Sequence, residues 1–294
     1  MSGLPKKILV ATDGSGDAAL SRRAAVDIAS LTDAEIHVAH SWHVPPAAFP
    51  TVPQESLYER KARQLLEEER SQIEAAGASV EGHLERGRPV DGILRLSKQE
   101  GIDLVALGGR GENRIHRVLL GSVAEGVACH SSCPVLVGRG GGEAWPPTRV
   151  IVGDDGSDAA REAGELVARI GMLFNARVLM VQAYPQPPGI SEEERASYAW
   201  RVEDELRAAE GILEDRAKDL QEFVEERVRT RVVVGDPAEV ILRAAAEQGE
   251  VKNTLIAVGA CGLGKGYDIR LGSVAKKILQ ASRGPVLVHP DPGG

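Results

Sequence analysis

The sequence predicts an α/β fold made twice: two tandem doubly wound domains, each an open five-stranded parallel sheet with helices on both faces. Three observations predict it. First, Ile8-Leu9-Val10-Ala11-Thr12-Asp13-Gly14-Ser15 returns as Val150-Ile151-Val152-Gly153-Asp154-Asp155-Gly156-Ser157, an offset of 142 residues. Further ordered matches follow. Gly87-Arg88-Pro89-Val90 returns as Gly235-Asp236-Pro237-Ala238 at an offset of 148. Asp103–Gly111 returns as Thr254–Gly262, Gly121-Ser122-Val123-Ala124 as Gly272-Ser273-Val274-Ala275, and Cys133-Pro134-Val135-Leu136-Val137 as Gly284-Pro285-Val286-Leu287-Val288, all at 151. Second, short apolar runs alternate with helical patterns in both copies, which implies parallel strands and right-handed crossovers. Third, 294 residues, 43% hydrophobic and 27% charged, suit two ordinary globular domains.

Each element has a local reason. Ile8–Ala11 is a buried apolar run of strand length. From about Asp17 to Leu31, Ala18, Ala25, Ile28 and Ala29 fall at helical spacing. Glu35–Trp42 reads as a strand. Residues 54–77 are charged and periodic and stop at Gly77, so they form an exposed amphipathic helix. Val80–Leu84 alternates as an edge strand does. Pro89 suits the first turn of the next helix, which stops near Gly101. Leu104–Leu107 is a strand, 121–131 a helix and Val135–Val137 the last strand. The second copy repeats the order, with Asp236, Pro237 and Glu239 at the N-cap, N1 and N3 of a helix. The drift in offset from 142 to 151 predicts nine extra residues in the second copy, before its third strand. Residues 138–147, rich in glycine and proline, read as a linker between domains at 1–140 and 148–294.

Composition removes whole classes of function. A net charge of −8 disfavours a nucleic-acid partner, and 3% aromatics leave little for base stacking. No apolar run approaches the ~18 residues of a membrane span, and the start of the chain carries no signal-peptide core, so a cytoplasmic protein with no membrane contact is expected. Three cysteines make no disulfide scaffold.

The chemistry concentrates in a glycine loop. After Leu104–Leu107 come Gly108-Gly109-Arg110-Gly111, nine residues, and Gly121-Ser122 opening a helix. After the matching strand come Gly259-Ala260-Cys261-Gly262, nine residues, and Gly272-Ser273. The shared pattern is G-x-x-G-x9-G-[ST]. Its glycines let backbone N–H groups approach phosphate oxygens, and its Gly-Ser step opens a helix whose dipole favours anions. It is not a Walker A loop, since Gly266 stands where Ser or Thr is required. Ligands of doubly wound sheets bind at the carboxyl ends of strands, which points to this loop and to the one after Ile8–Ala11.

With the opening Ile-Leu-Val-Ala-Thr-Asp-Gly-Ser and the closing Cys-Pro-Val-Leu-Val, this loop makes the chain resemble the tandem universal stress proteins over nearly all of its length. The resemblance implies strand order 3-2-1-4-5, pairing of domains through the last strand into a pseudo-dimer, and ATP, with Mg2+, in the nucleotide-binding branch. By position it places Asp13 and Asp155 against adenine or ribose, with Ala11 and Thr12, and Gly153 and Asp154, lining the same pockets. Ser41 and Ala183 stand where backbone groups hold adenine. Gly108, Arg110, Gly111, Gly121, Ser122 and Val123 are implied to hold ribose and phosphates in the first copy. Gly259, Gly262, Gly272, Ser273 and Val274 do so in the second.

The copies differ in charge. The first loop carries Arg110, Arg114, His116 and Arg117; the second has Cys261, Lys265, Tyr267 and Asp268, with Arg270 nearby. Asp154 beside Asp155 adds negative charge to the second pocket unless a divalent cation offsets it. Tighter ATP binding is therefore expected in the first copy. His37, His40 and His43 alternate across a strand, so they diverge and no metal site is expected. Cys129 and Cys133 read as structural, while Cys261 lies beside a helix N-terminus that would activate a thiol. Residues 191–229 predict a long surface helix laced with ion pairs, with Trp200 either its one core contact or a packing point for a partner.

No catalytic constellation stands out. The leading expectation is an ATP-binding regulatory factor of the stress response, with slow hydrolysis at most. It is accompanied by a homodimer and a protein partner of unknown identity. The alternatives are an Mg-dependent ATPase or adenylyl hydrolase using the same pocket, and a nucleotide-free interaction scaffold.

Overall fold

The computed structural model describes residues 3–43, 54–111, 120–140, 144–187, 189–224, 228–247, 253–262 and 271–291. The chain divides into two units, Met1–Trp145 and Pro146–Gly294.

In the first unit the elements run β1 (Lys7–Ala11), α1 (Gly16–Thr32), β2 (Glu35–Trp42), α2 (Gln54–Ala75), β3 (Val80–Arg86), α3 (Pro89–Gln99), β4 (Leu104–Gly108), α4 (Ser122–His130) and β5 (Val135–Gly138). All pairings are parallel, in the order β3-β2-β1-β4-β5. The central strands are apolar because both faces are covered. Ile8, Leu9, Val10, Leu104, Val105 and Ala106 have no exposed surface. Burying each of the larger side chains contributes about 1.5–3 kcal/mol. Glycine contacts show the two layers. A side chain at Gly82 of β3 would strike Arg70 of α2, and one at Gly92 of α3 would meet Ser41 and Glu85 on the other face. The Arg22–Glu69 pair joins α1 to α2, at 2.6 Å. Val90 and Gly126 bring α3 and α4 together opposite them.

The second unit runs β6 (Arg149–Gly153), α5 (Asp158–Leu173), β7 (Arg177–Tyr184), α6 (Glu192–Arg201), α7 (Glu203–Val224), β8 (Val228–Val234), α8 (Pro237–Ala246), β9 (Thr254–Gly259), α9 (Ser273–Ala281) and β10 (Val286–His289). Its parallel order is β8-β7-β6-β9-β10. The helix starts are chemical. Ser157 caps α5, Asp236 accepts the Ala238 and Glu239 N–H groups, and Ser191 and Glu194 form a capping box.

Three expectations change. The long helix over 191–229 is two helices, broken at Val202, whose φ of −108° and ψ of 27° close α6. Trp200 is 77% exposed rather than a core contact; Leu213, Ala217 and Leu220 of α7 are buried instead. The nine extra residues are not a single insertion before the third strand. The buried positions Ala62, Leu66 and Glu69 on α2 match the buried Leu213, Ala217 and Leu220 on α7 at offset 151, whereas β3 and β8 match at 148. Nine residues therefore enter before α7, three are lost before β8, and three return before β9. Within the segment read as a linker, Gly138 ends β5 and Trp145 is only 2% exposed.

Candidate functional site

The loop after the first strand is built the same way in both copies. In the first, Gly14 N–H donates to Thr12 Oγ1 (3.1 Å) and Ser15 N–H to Asp13 Oδ1 (3.0 Å). In the second, Gly156 N–H donates to Asp154 Oδ1 (2.6 Å) and Ser157 N–H to Asp155 Oδ1 (3.0 Å). The tips of the Asp13 and Asp155 turns are Gly14 (φ 80°) and Gly156 (φ 86°), a left-handed conformation that glycine adopts without strain. The second strand anchors the loop: Thr12 N–H donates to Ala39 O and Asp154 N–H to Val181 O, both at 3.0 Å. Ser41 and Ala183 are the next-to-last residues of their strands, which run on to Trp42 and Tyr184.

The glycine loop lies across this turn. A side chain at Gly111 would come within 3.0 Å of Asp13 Oδ2, and one at Gly262 would strike Asp155 Oδ2. Each loop is pinched at its neck, with Gly121 N–H donating to Gly109 O (2.8 Å) and Gly272 N–H to Ala260 O (2.6 Å). The helices that follow start on glycines with no side-chain cap. Their first intrahelical bonds are Glu125 N–H to Gly121 O and Lys276 N–H to Gly272 O. The N–H groups of Ser122, Val123 and Ala124, and of Ser273, Val274 and Ala275, precede those bonds and point out of the helix ends. Ser122 and Ser273 are exposed. Thus the structure brings Ala11, Thr12, Asp13, Gly108, Gly111, Gly121, Ser122 and Val123 to one end of the first sheet. The same holds for Gly153, Asp154, Asp155, Gly259, Gly262, Gly272, Ser273 and Val274 in the second.

Two charges in that region have protein partners. Arg110 donates through Nε and Nη2 to both oxygens of Asp17 on α1, at 2.8 and 2.9 Å, and Asp17 is 7% exposed. This hydrogen-bonded carboxylate holds the Arg110 guanidinium above its ordinary value. Ser15 Oγ donates to Arg110 O at 3.1 Å, so the residue locks the loop onto α1. Aligned with Asp17 and Arg110 in the second copy are Ala159 and Cys261, and the pair is absent there. Asp154, 5% exposed, is neutralised by Arg216 of α7, whose Nε donates to Oδ2 at 2.7 Å. The sequence offered no signal for either pair, because the partners lie 93 and 62 residues apart. Arg114, His116, Arg117, Lys265, Tyr267, Asp268 and Arg270 lie outside the described residues.

The universal stress protein family model matches residues 5–139 and again 147–290. The chain belongs to the universal stress protein family. A universal stress protein of Mycolicibacterium smegmatis is 27% identical over 300 residues, covering 96% of each chain. One from Mycobacterium tuberculosis is 27% identical over 294 residues, again 96% of each. The crystal structure of a universal stress protein from Archaeoglobus fulgidus superposes with a TM-score of 0.68 at 25% identity, covering 97% of this chain and 98% of that one. The tandem α/β architecture is therefore that of full-length universal stress proteins, the stress-response proteins of this family. Among the described residues no helix is long and apolar enough to cross a membrane.

Proposed function

We propose that each copy binds an adenine nucleotide, ATP with its Mg2+, and that occupancy sets the conformation this stress-response protein presents to a partner. One observation carries the reading: both copies lay a glycine loop on the aspartate that ends the first turn, beside a helix start without a side-chain cap. Backbone N–H groups at such a start suit phosphate oxygens. Gly108, Gly111, Gly121, Ser122 and Val123 would surround the phosphates and ribose, with their counterparts Gly259, Gly262, Gly272, Ser273 and Val274. Ala11, Thr12 and Asp13, with Gly153, Asp154 and Asp155, would floor the base and ribose end. Ser41 and Ala183 would border it.

Arg110 enters this reading as the residue that holds the loop to α1. Tighter binding by the first copy then rests on Arg114 and Arg117, since Asp17 engages Arg110 and Arg216 already offsets Asp154. Hydrolysis is expected to be slow at most. Titration calorimetry with Mg-ATP tests the proposal in Gly111→Val, Gly262→Val and the double variant. Each single change should remove one binding event and the double both. Steady phosphate release lost with the double variant would move the protein to the ATPase reading. A homodimer is proposed as its assembly, to be checked by light scattering.

A further inference from the structure

On the α3 side of the first sheet, β2 and β3 gather side chains that nucleotide binding does not use. The register sets His37 opposite Glu81 and Ala39 opposite His83, so Glu35, His37, Glu81 and His83 share one face. His37 Nδ1 is 3.0 Å from His83 Nε2. The ring centroids are 5.2 Å apart and the planes differ by 19°, so the nitrogens meet nearly head-on. His37 has no exposed surface, and its Nε2 has no hydrogen-bond partner, with Glu35 Oε1 standing 3.4 Å away. Glu81 Oε1 is 4.0 Å from His83 Nε2. One ligand atom each from His37, Glu81 and His83 lies within 4.8 Å of the others.

We propose that His37, His83 and Glu81 bind one divalent transition-metal ion of the zinc type, with Glu35 behind His37 and water completing the shell. Zinc–imidazole bonds of about 2.0–2.1 Å at a tetrahedral angle set two nitrogens about 3.3 Å apart. The pair needs only a small opening and a turn of the rings to converge on an ion. Glu35 favours the proton of His37 on Nε2, which leaves the Nδ1 lone pair for the metal, the usual carboxylate–histidine–metal relay. His83 moves the shared proton from Nε2 to its own Nδ1, a tautomer change that releases no proton. The surroundings favour a cation. Glu81, Glu100 and Glu85 act on His83 and Glu35 on His37, against Lys7 paired with Glu35 and Arg95 paired with Glu85. Glu81 is exposed on the end strand of the unit's sheet, which gives an ion its entry.

The second copy is an internal control. Its register pairs Leu179 with Arg229 and Val181 with Arg231, so the four positions read Arg177, Leu179, Arg229 and Arg231. The fold does not require the ligands.

The test uses the full chain, nucleotide-free, titrated with Zn2+ alone against a competing chelator, and with Co2+ for its spectrum. One equivalent of zinc is expected, weakened at least tenfold by Glu81→Gln and about a hundredfold by His83→Ala. Arg231→Ala should bind as the wild type does, as should the Gly111→Val/Gly262→Val variant, which separates this site from the nucleotide reading. The Co2+ spectrum should lack thiolate charge transfer, which sets aside Cys129, Cys133 and Cys261. Circular dichroism checks that His83→Ala is folded; Glu81→Gln, at an exposed position, serves if it is not. No zinc uptake, equal affinity in the folded variants, or a thiolate band would overturn the proposal.

Discussion

Arg216→Leu should destabilise the second copy by about 3 kcal/mol. The Asp154 side chain is 1% exposed and holds two partners, Gly156 N–H at 2.6 Å and Arg216 Nε at 2.7 Å. Arg216 also donates to Ser157 O at 3.2 Å. Breaking a buried pair from one side costs about 3–5 kcal/mol, because the remaining charge is left without compensation. Arg216 is 23% exposed, so water reaches its place and the lower end applies. The first copy shows the neutral solution to the same packing problem. Thr12 accepts the Gly14 N–H, and Leu65 of α2, the residue aligned with Arg216, lies over Gly14. The double variant Asp154→Thr/Arg216→Leu should therefore return to within about 1 kcal/mol of wild type, recovering about 2 kcal/mol of the single variant's loss. For a unit of this size the single change lowers the melting midpoint by about 6–12 °C. Hydrogen exchange of β6 and β9 peptides across a urea series reads the second copy by itself. A single variant within about 1 kcal/mol of wild type, or a double variant no better than the single, would refute this reasoning.

Three other substitutions probe the same frame. Gly108→Ala would put a methyl 2.7 Å from Ala18 N and 3.0 Å from the Asp17 carbonyl carbon, backbone atoms that cannot swing away. A loss of about 1–3 kcal/mol is expected from thermal melts, and an unchanged midpoint contradicts the close approach of β4 to α1. Arg110→Ala strands the buried Asp17 carboxylate. Because Arg110 is 36% exposed the loss is discounted to about 1–2 kcal/mol, and Arg110→Cys with Asp17→Ala, the second copy's own residues, should recover most of it. Asp236→Ala removes the α8 cap at a cost of about 1 kcal/mol at neutral pH. Burial pushes the Asp236 carboxyl up, but the Lys277 ammonium and the Glu239 and Ala238 N–H groups outweigh it and hold the group below its ordinary value. Its stabilisation is thus present above the ordinary carboxylate range and lost as pH falls through the folded-state value. The penalty of the variant should shrink in acid, and a constant penalty would contradict the assignment.

Periodicity and punctuation made the strands and helix starts legible, because Ile8–Val10 and Leu104–Ala106 are apolar for the same reason that they are buried. The glycine loop was legible because it is written twice at one spacing. Partnerships across the fold were not. Asp17 and Arg110 are each ordinary surface residues until β4 is laid beside β1 and brings the loop over α1. The spacing of His37, His40 and His43 drew attention to one strand, but His40 turns to Thr12 O at 2.8 Å while His37 meets His83 on the neighbouring strand, set by a register the sequence does not state. Val202 interrupts a continuous charge pattern with no glycine or proline to mark the break between α6 and α7.

Two copies of one loop would make two nucleotide sites in one chain. Mass spectrometry of small molecules released from the denatured protein, quantified against protein after saturation with ATP and gel filtration, tests it most directly. Two adenine nucleotides per chain are expected, one after Gly111→Val or Gly262→Val, and none after both. Wild-type protein that retains no nucleotide and binds none in titration would contradict it.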